Sequence, residues 1–143
     1  MNLEKTKYLC IGDQLSELGI GTESIQPCEE YLGVEFDTSG TDDNEIRSRV
    51  IEARKVIGCL NGILWSKNIT RSRKFNIYNT MIKSQLTYGS ETWRLTERNK
   101  RRIEAPEMDA LRRSARISRM RRIRNQEVRN QLEVEGTIMD DIE

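Results

Sequence analysis

The spacing of apolar residues changes at Thr41, and that change constrains the fold more than any other feature of the sequence. Ile46, Val50, Ala53, Ile57, Leu60 and Leu64 recur at intervals of four, three, four, three and four, which puts them on one stripe of an α-helix. Asp42 followed three residues later by Glu45 reads as a capping box at the start of this helix. Gly58 and Gly62 lower its propensity and predict either close packing or an end near Trp65.

Upstream the pattern is that of short strands and turns. Lys7 to Gly12 reads as a weakly alternating strand. Ser16 to Glu30, broken by Gly19, Gly21 and Pro27, reads as a connection or as a turn with a weak strand around Ser24-Ile25-Gln26. Tyr31 to Phe36 reads as a further strand, closed by Asp37-Thr38-Ser39-Gly40. Strands this short need a helix or a larger sheet over their apolar face.

Downstream, a second helix is predicted after Thr70 or Ser72, burying Phe75, Tyr78, Met81, Ile82 and Leu86, with Gly89 marking a kink or its end. Thr96 is a candidate cap for a third helix, which Pro106 is expected to kink or stop because proline lacks the amide and clashes with the preceding turn. Residues 107 to 119 resume a helical composition without a clean stripe, and Asn125 is a candidate cap for a last helix through Val128 and Leu132. The expected class is α+β, mainly α. It comprises strands and turns over 1–40, a helical bundle over 41–135 and a frayed acidic tail over 136–143.

Composition excludes several chemistries. With no histidine, the chain cannot build a Ser-His-Asp or Cys-His arrangement. Cys10, Cys28 and Cys59 form no CxxC pair and so offer no thiolate metal site; single reduced thiols in an intracellular chain, nuclear or cytoplasmic, are the expectation. No stretch approaches the ~20 apolar residues that span a bilayer. Gly19-Ile20-Gly21 lacks the continuation of a phosphate-binding loop. Asp42-Asp43, at a predicted helix start, suffices as a cap and favours the dipole rather than marking a metal site.

The net charge of +1 conceals a strong asymmetry: residues 1–45 carry 2 basic and 11 acidic side chains, residues 46–131 carry 22 and 7, and residues 132–143 carry 0 and 5. Eight arginines, at 112, 113, 116, 119, 121, 122, 124 and 129, lie within eighteen residues that hold one acid, Glu127. If this segment were helical, Arg112, Arg116 and Arg119 would share a face able to follow a phosphate backbone, with salt-sensitive affinity. Lys67, Arg71, Arg73 and Lys74 form a second basic cluster near a helix start. Solvated charge is the competing reading for both, and for the arginine-rich segment so is pairing with an acidic surface such as the first 45 residues. Tyr78, Tyr88 and Trp93 invite a base-stacking role, although their helical surroundings favour the core.

Several of these segments together resemble the region downstream of the catalytic palm in non-LTR, LINE-type retrotransposon reverse transcriptases of the endonuclease-reverse transcriptase kind. Lys5-Thr6-Lys7-Tyr8 resembles the end of the palm, and Tyr31-Leu32-Gly33-Val34 the family's Tyr-Leu-Gly segment. Glu45 to Val50 and the helix to Trp65 follow in the same order. Tyr88-Gly89-Ser90-Glu91-Thr92-Trp93 matches a family block, as do Leu111-Arg112-Arg113 and the series Arg122, Asn125, Val128, Arg129. The resemblance covers residues 5 to 131 and implies a palm edge followed by a helical thumb that contacts RNA, DNA or an RNA/DNA hybrid. The nucleic-acid-binding set that the charge pattern gives, and with which this resemblance agrees, is Lys67, Arg71, Lys74, Arg112, Arg113, Arg116, Arg119 and Arg122. Tyr31, Leu32, Gly33, Tyr88, Gly89, Glu91, Trp93 and Asn125 carry the structural motifs.

In that family the Mg2+-binding Asp-Asp motif lies upstream of these segments. The expectation is therefore a truncated piece, with no catalytic residue, metal or cofactor of its own, whose partners are nucleic acid and the missing polymerase domains, and with no membrane contact. Pro106, where the family has an apolar or aromatic helix residue, implies a broken thumb helix. The competing readings are a structural remnant or protein-interaction module and, least favoured, a polymerase or nuclease completed by a second chain.

Overall fold

A computed structural model describes residues 5–10, 17–28, 30–36 and 40–142. It is an α+β structure with short N-terminal strands followed by a larger helical region. The chain divides into two units, Met1–Glu45 and Ile46–Glu143.

In the first unit, β1 (Lys7–Tyr8), β2 (Leu18–Ile20) and β3 (Glu23–Pro27) form a sheet of order β1-β3-β2. β1 runs parallel to β3 with Lys7 opposite Gln26, and the Cys28 amide extends the ladder by donating to the Tyr8 carbonyl at 2.8 Å. β2 is antiparallel to β3, Leu18 facing Ile25 and Ile20 facing Glu23, around the two-residue loop Gly21-Thr22. The expected strand at Ser24-Ile25-Gln26 is thus present as β3, and the glycine-rich stretch before it is its hairpin partner. The end of the first predicted strand at Ile11-Gly12 and the turn residues Asp37-Thr38-Ser39 lie outside the described residues.

The predicted strand Tyr31 to Phe36 is instead a hairpin, β4 (Glu30–Tyr31) against β5 (Val34–Glu35), with Tyr31 opposite Val34. Leu32 and Gly33 both have positive φ, 51° and 76°, the backbone twist that a two-residue hairpin loop of the primed type demands. Glycine at the second loop position is the reason the chain reverses there. Beyond β5, the Glu35 amide donates to Oε2 of the buried Glu45 at 2.8 Å.

The second unit is helical. α1 (Asp43–Cys59) and α2 (Asn61–Trp65) are separated at Leu60, yet Leu60 donates to the Val56 carbonyl and Leu64 to the Leu60 carbonyl, both at 2.9 Å. The stripe therefore continues across the break, and all six of its residues are buried. Gly58 and Gly62 mark no close packing, since a Cβ at either meets nothing within 4 Å.

Thr70 caps α3 (Arg71–Ile77), its hydroxyl accepting from the Arg73 amide. A π-helical segment Tyr78–Lys83 and α4 (Ser84–Thr87) follow without interruption. Lys74, Tyr78, Ile82 and Leu86 are buried at every fourth residue, whereas the expected core residues Phe75 and Met81 are exposed. Four residues of α-helix overshoot a full turn by about 40°, so three such steps displace a side chain by about 120°. The wider π turn absorbs that drift and keeps these four on one face. Gly89, with φ 77°, ends the run.

α5 (Glu97–Ser114) is capped by Thr96 and runs through Pro106, contrary to the expected break. It is buried on two sides: Ile103 and Ala110 join the main core of α1, α2 and the π segment, while Met108 and Leu111 pack with Ile117 and Val128. Pro106 is itself fully buried. Packing on both faces offsets the roughly 3 kcal/mol that an interior proline costs.

The helix then stops at Ser114, where 107–119 was expected to continue. The Ile117 amide donates to the Arg112 carbonyl at 2.8 Å and the Arg116 amide to that of Arg113 at 3.0 Å, a Schellman closure with Arg116 in the left-handed position at φ 58°. α6 (Asn125–Leu132) begins after Arg124, so Asn125 is its first helical residue and not its cap. The C-terminal segment is not frayed. Thr137 and Asp140 form a capping box, and Ile138 and Met139 are buried in the main core. Among the described residues no helix is long and apolar enough to cross a membrane.

Candidate nucleic-acid interface

The connection between α5 and α6 carries the densest positive charge. Residues 116–124 hold five arginines and no acid, and Arg116, Arg119, Arg121, Arg122 and Arg124 are all exposed. Two buried or half-buried apolar residues, Ile117 and Ile123, anchor this loop on Met108, Leu111 and Val128. The 3-10 turn Arg119–Arg121 is capped by the Ser118 hydroxyl, which accepts from the Met120 amide, and Arg122 follows with φ 49°. The expected ridge of Arg112, Arg116 and Arg119 does not exist, because the helix that was to align them ends at Ser114.

What groups three arginines instead is a groove of about 330 Å³ lined by Trp65, Asp109, Arg112, Arg113, Ile117, Ser118 and Arg119. Asp109 is its organising residue: Oδ2 accepts from Arg113 Nε at 3.0 Å and Oδ1 from Arg119 Nη2 at 3.1 Å. Arg113 Nη1 also donates to Asn61 Oδ1. Arg112 Nη2 donates to the Ile123 carbonyl at 2.6 Å and to Asn125 Oδ1 at 2.9 Å, so Asn125 fastens the loop rather than capping a helix.

The second predicted cluster is dispersed. Lys67 is exposed on the connection before α3. Arg71 is also exposed and donates to the Gln131 carbonyl at the end of α6, 3.0 Å away. Lys74 is buried, contrary to its expected role at a phosphate. Its Nζ donates to the Ser114 carbonyl at 3.3 Å, where a cation satisfies the end of α5 and its dipole. Burial, with Arg116 nearby as a second cause, pulls the Lys74 ammonium below its ordinary value.

Of the motif residues, Tyr31 and Leu32 are exposed on the β4–β5 hairpin, with Gly33 in its turn. Trp93 belongs to the core, as does Tyr78, so neither is available for stacking. Tyr88 is exposed beneath the Arg49 guanidinium, which lies 4.6 Å from the ring centroid. Glu91 is exposed in the 3-10 turn Ser90–Thr92 after the left-handed Gly89.

Arg129 leaves the basic set altogether. It is buried against Glu107, Nη2 to Oε2 at 2.8 Å, and Glu107 Oε1 accepts from the Ile138 amide at 3.1 Å and from the Tyr78 hydroxyl at 3.5 Å. Burial raises the Glu107 carboxyl above the ordinary carboxylate range against the pull of Arg129, and burial together with Glu107 raises the Tyr78 phenol.

The chain matches no family model, no curated protein and no solved structure.

Asp109 and Ser118 are groove residues that the sequence reading does not name, and Trp65 enters it only as the end of a helix. Asp109 and Arg113 stand at the i, i+4 spacing of a helical ion pair, a signal that was there to find. Nothing local marks Trp65, whose place beside α5 is a product of tertiary packing.

Proposed function

We propose that the chain is a non-catalytic piece of a LINE-type reverse transcriptase, comprising a palm edge and a thumb-like helical region whose arginine-rich loop contacts the phosphate backbone of a template and primer. The ordered series of motifs from Lys5 to Arg129 supports the origin. The binding role rests on one observation, the five exposed arginines of residues 116–124 on a segment with no acid. Phosphate contacts of this kind supply affinity with little sequence preference. Among the described residues no group of three or more carboxylates, thiols or imidazoles is placed to hold a metal ion.

A second reading, a structural or protein-interaction module, is favoured by the internal bonds of Lys74, Arg112, Arg113 and Arg129. Fluorescence anisotropy with an RNA/DNA hybrid separates the two. Engagement of all five loop arginines gives a log–log salt slope near about −4.5, and even two contacts weaken binding about tenfold between about 50 and 200 mM salt. A sample that is helical by circular dichroism and binds nothing at the lower salt overturns the nucleic-acid reading and leaves the second.

A further inference from the structure

The groove beside the arginine loop combines features that an electrostatic grip does not need. Trp65, at the end of α2, keeps 37% of its surface exposed although the rest of its helical stripe ends in buried Leu64. It shares the groove with three guanidinium groups and with Ile117. Three arginines against Asp109 leave the groove with a net charge of +2. Its volume of about 330 Å³ is at the small end of ligand sites, which run from about 300 to 1,000 Å³. That suits one planar base with its phosphate.

The cations are also held in place. Arg119 has a side chain that is 72% exposed, yet Asp109 fixes one of its terminal nitrogens at 3.1 Å while fixing Arg113 from its other oxygen. A guanidinium carries five N–H donors. Among the described residues, the bonds to Asp109, Asn61, Ile123 and Asn125 engage one or two nitrogens of each arginine and leave the others to a ligand. Prior fixing of rotamers lowers the ordering cost of binding. An aromatic face beside such donors is the combination that binds unpaired nucleotides without regard to sequence.

We propose that this groove is a single-strand subsite, in which one unpaired base stacks on Trp65 while its phosphate is held by Arg119 and the adjacent edges of Arg112 and Arg113. The assignment rests on the nucleic-acid reading above and adds to it a ligand class, an unpaired nucleotide at the end of a duplex or in a single strand. Arg116, Arg121, Arg122 and Arg124 are left to the neighbouring backbone.

The test uses the full chain and three labelled probes, namely a blunt RNA/DNA hybrid, the same hybrid with a short oligothymidylate extension, and that extension with abasic sites in place of the bases. The expected result is tighter binding of the base-bearing extension than of the abasic one, with quenching of tryptophan fluorescence by the base-bearing probe alone. The only other tryptophan, Trp93, is buried in the core, so stacking is read at Trp65. Trp65→Leu is expected to lose the preference, about five- to a hundredfold by the usual worth of one stacked base. Trp65→Phe keeps most of it.

Equal affinity for base-bearing and abasic extensions without quenching overturns the subsite, and salt-sensitive binding of the blunt hybrid in the same experiment leaves the broader reading standing. Loss of binding to all three probes by a folded sample overturns both. If Trp65→Leu does not fold, acrylamide quenching of the unmodified chain decides. Protection of the exposed tryptophan by base-bearing but not abasic strand supports the subsite, and equal protection by both refutes it.

Discussion

Arg129 and Glu107 form a buried ion pair, Nη2 to Oε2 at 2.8 Å, with side-chain exposures of 9% and 2%. The pair links α6 to α5, and through the second carboxylate oxygen it also holds the Ile138 amide. Removing one partner of a buried pair strands the other charge and costs about 3–5 kcal/mol. Arg129→Met is therefore expected to lower the urea midpoint by that equivalent. Adding Glu107→Gln, which keeps an acceptor for Ile138 and Tyr78, is expected to restore most of the loss. A double variant no more stable than Arg129→Met shows that the packing of Arg129, and not its charge, is what matters.

The same carboxylate sets a pH dependence. Burial raises Glu107 above its ordinary value of 4.5, so the folded state binds its proton more tightly than the unfolded chain does. The stabilising contribution of the protonated form is complete below the ordinary value, and it is lost as pH rises from there through the raised value. In paired urea titrations, stability relative to Glu107→Gln is expected to fall across that window and level off above it. A relative stability that rises with pH there means Arg129 outweighs burial and holds the carboxylate ionised.

Arg116 does two things that one substitution separates. It occupies the left-handed position closing α5, φ 58°, where a side chain costs roughly 1–2 kcal/mol and glycine does not. It is also one of the exposed loop arginines. Arg116→Gly is expected to raise stability by about 0.5–1 kcal/mol, less than the full strain because glycine also frees the unfolded chain. It also reduces the salt slope of nucleic-acid binding by about 0.9. Thermal unfolding and anisotropy on one preparation check both effects.

Lys74 supplies the control, because the sequence places it among the phosphate contacts and the fold places it under the end of α5. Lys74→Met keeps the buried stem and removes the ammonium that donates to the Ser114 carbonyl. The expected result is an unchanged salt slope, against a reduction of about 0.9 for Arg122→Gln. A reduction with Lys74→Met of the same size shows that its ammonium reaches the ligand.

How far these features were readable follows from their range. The stripe from Ile46 to Leu64, the caps at Thr70 and Thr96 and the end at Gly89 depend on neighbours within a few residues, and the sequence displays them. The Tyr31 to Phe36 segment differs from its expected single strand for a local reason as well, since Gly33 is a turn signal, with φ 76°, between two short strands. Lys74 and Arg129 are different. Their burial is decided by acceptors on distant elements, the Ser114 carbonyl and Glu107, and no local pattern distinguishes such a cation from a solvated one. The arginine ridge failed at its premise, because Arg116 adopts a positive φ that an arginine enters only when the packing of Ile117 on Leu111 and Val128 holds it there. The groove inherits that difficulty, because Trp65 meets Arg113 and Arg119 only through the packing of α2 on α5.

The acidic end of the chain offers the sharpest test of tertiary burial over composition. Gly136 onward has the charge of a solvated tail, yet Ile138 is 1% exposed within the main core, its amide is taken by Glu107, and Asp141 meets Lys83 at 2.5 Å. Truncating a buried isoleucine removes both its transfer free energy and the packing around the cavity, about 2–5 kcal/mol in well-packed sites. Ile138→Ala is expected to fall in that range by urea unfolding and to expose the segment to limited proteolysis after Val134. Asp141→Asn, which breaks only a partly exposed ion pair, is expected to cost no more than about 1 kcal/mol. Equal and small losses from both substitutions return the segment to the frayed tail that its composition suggests.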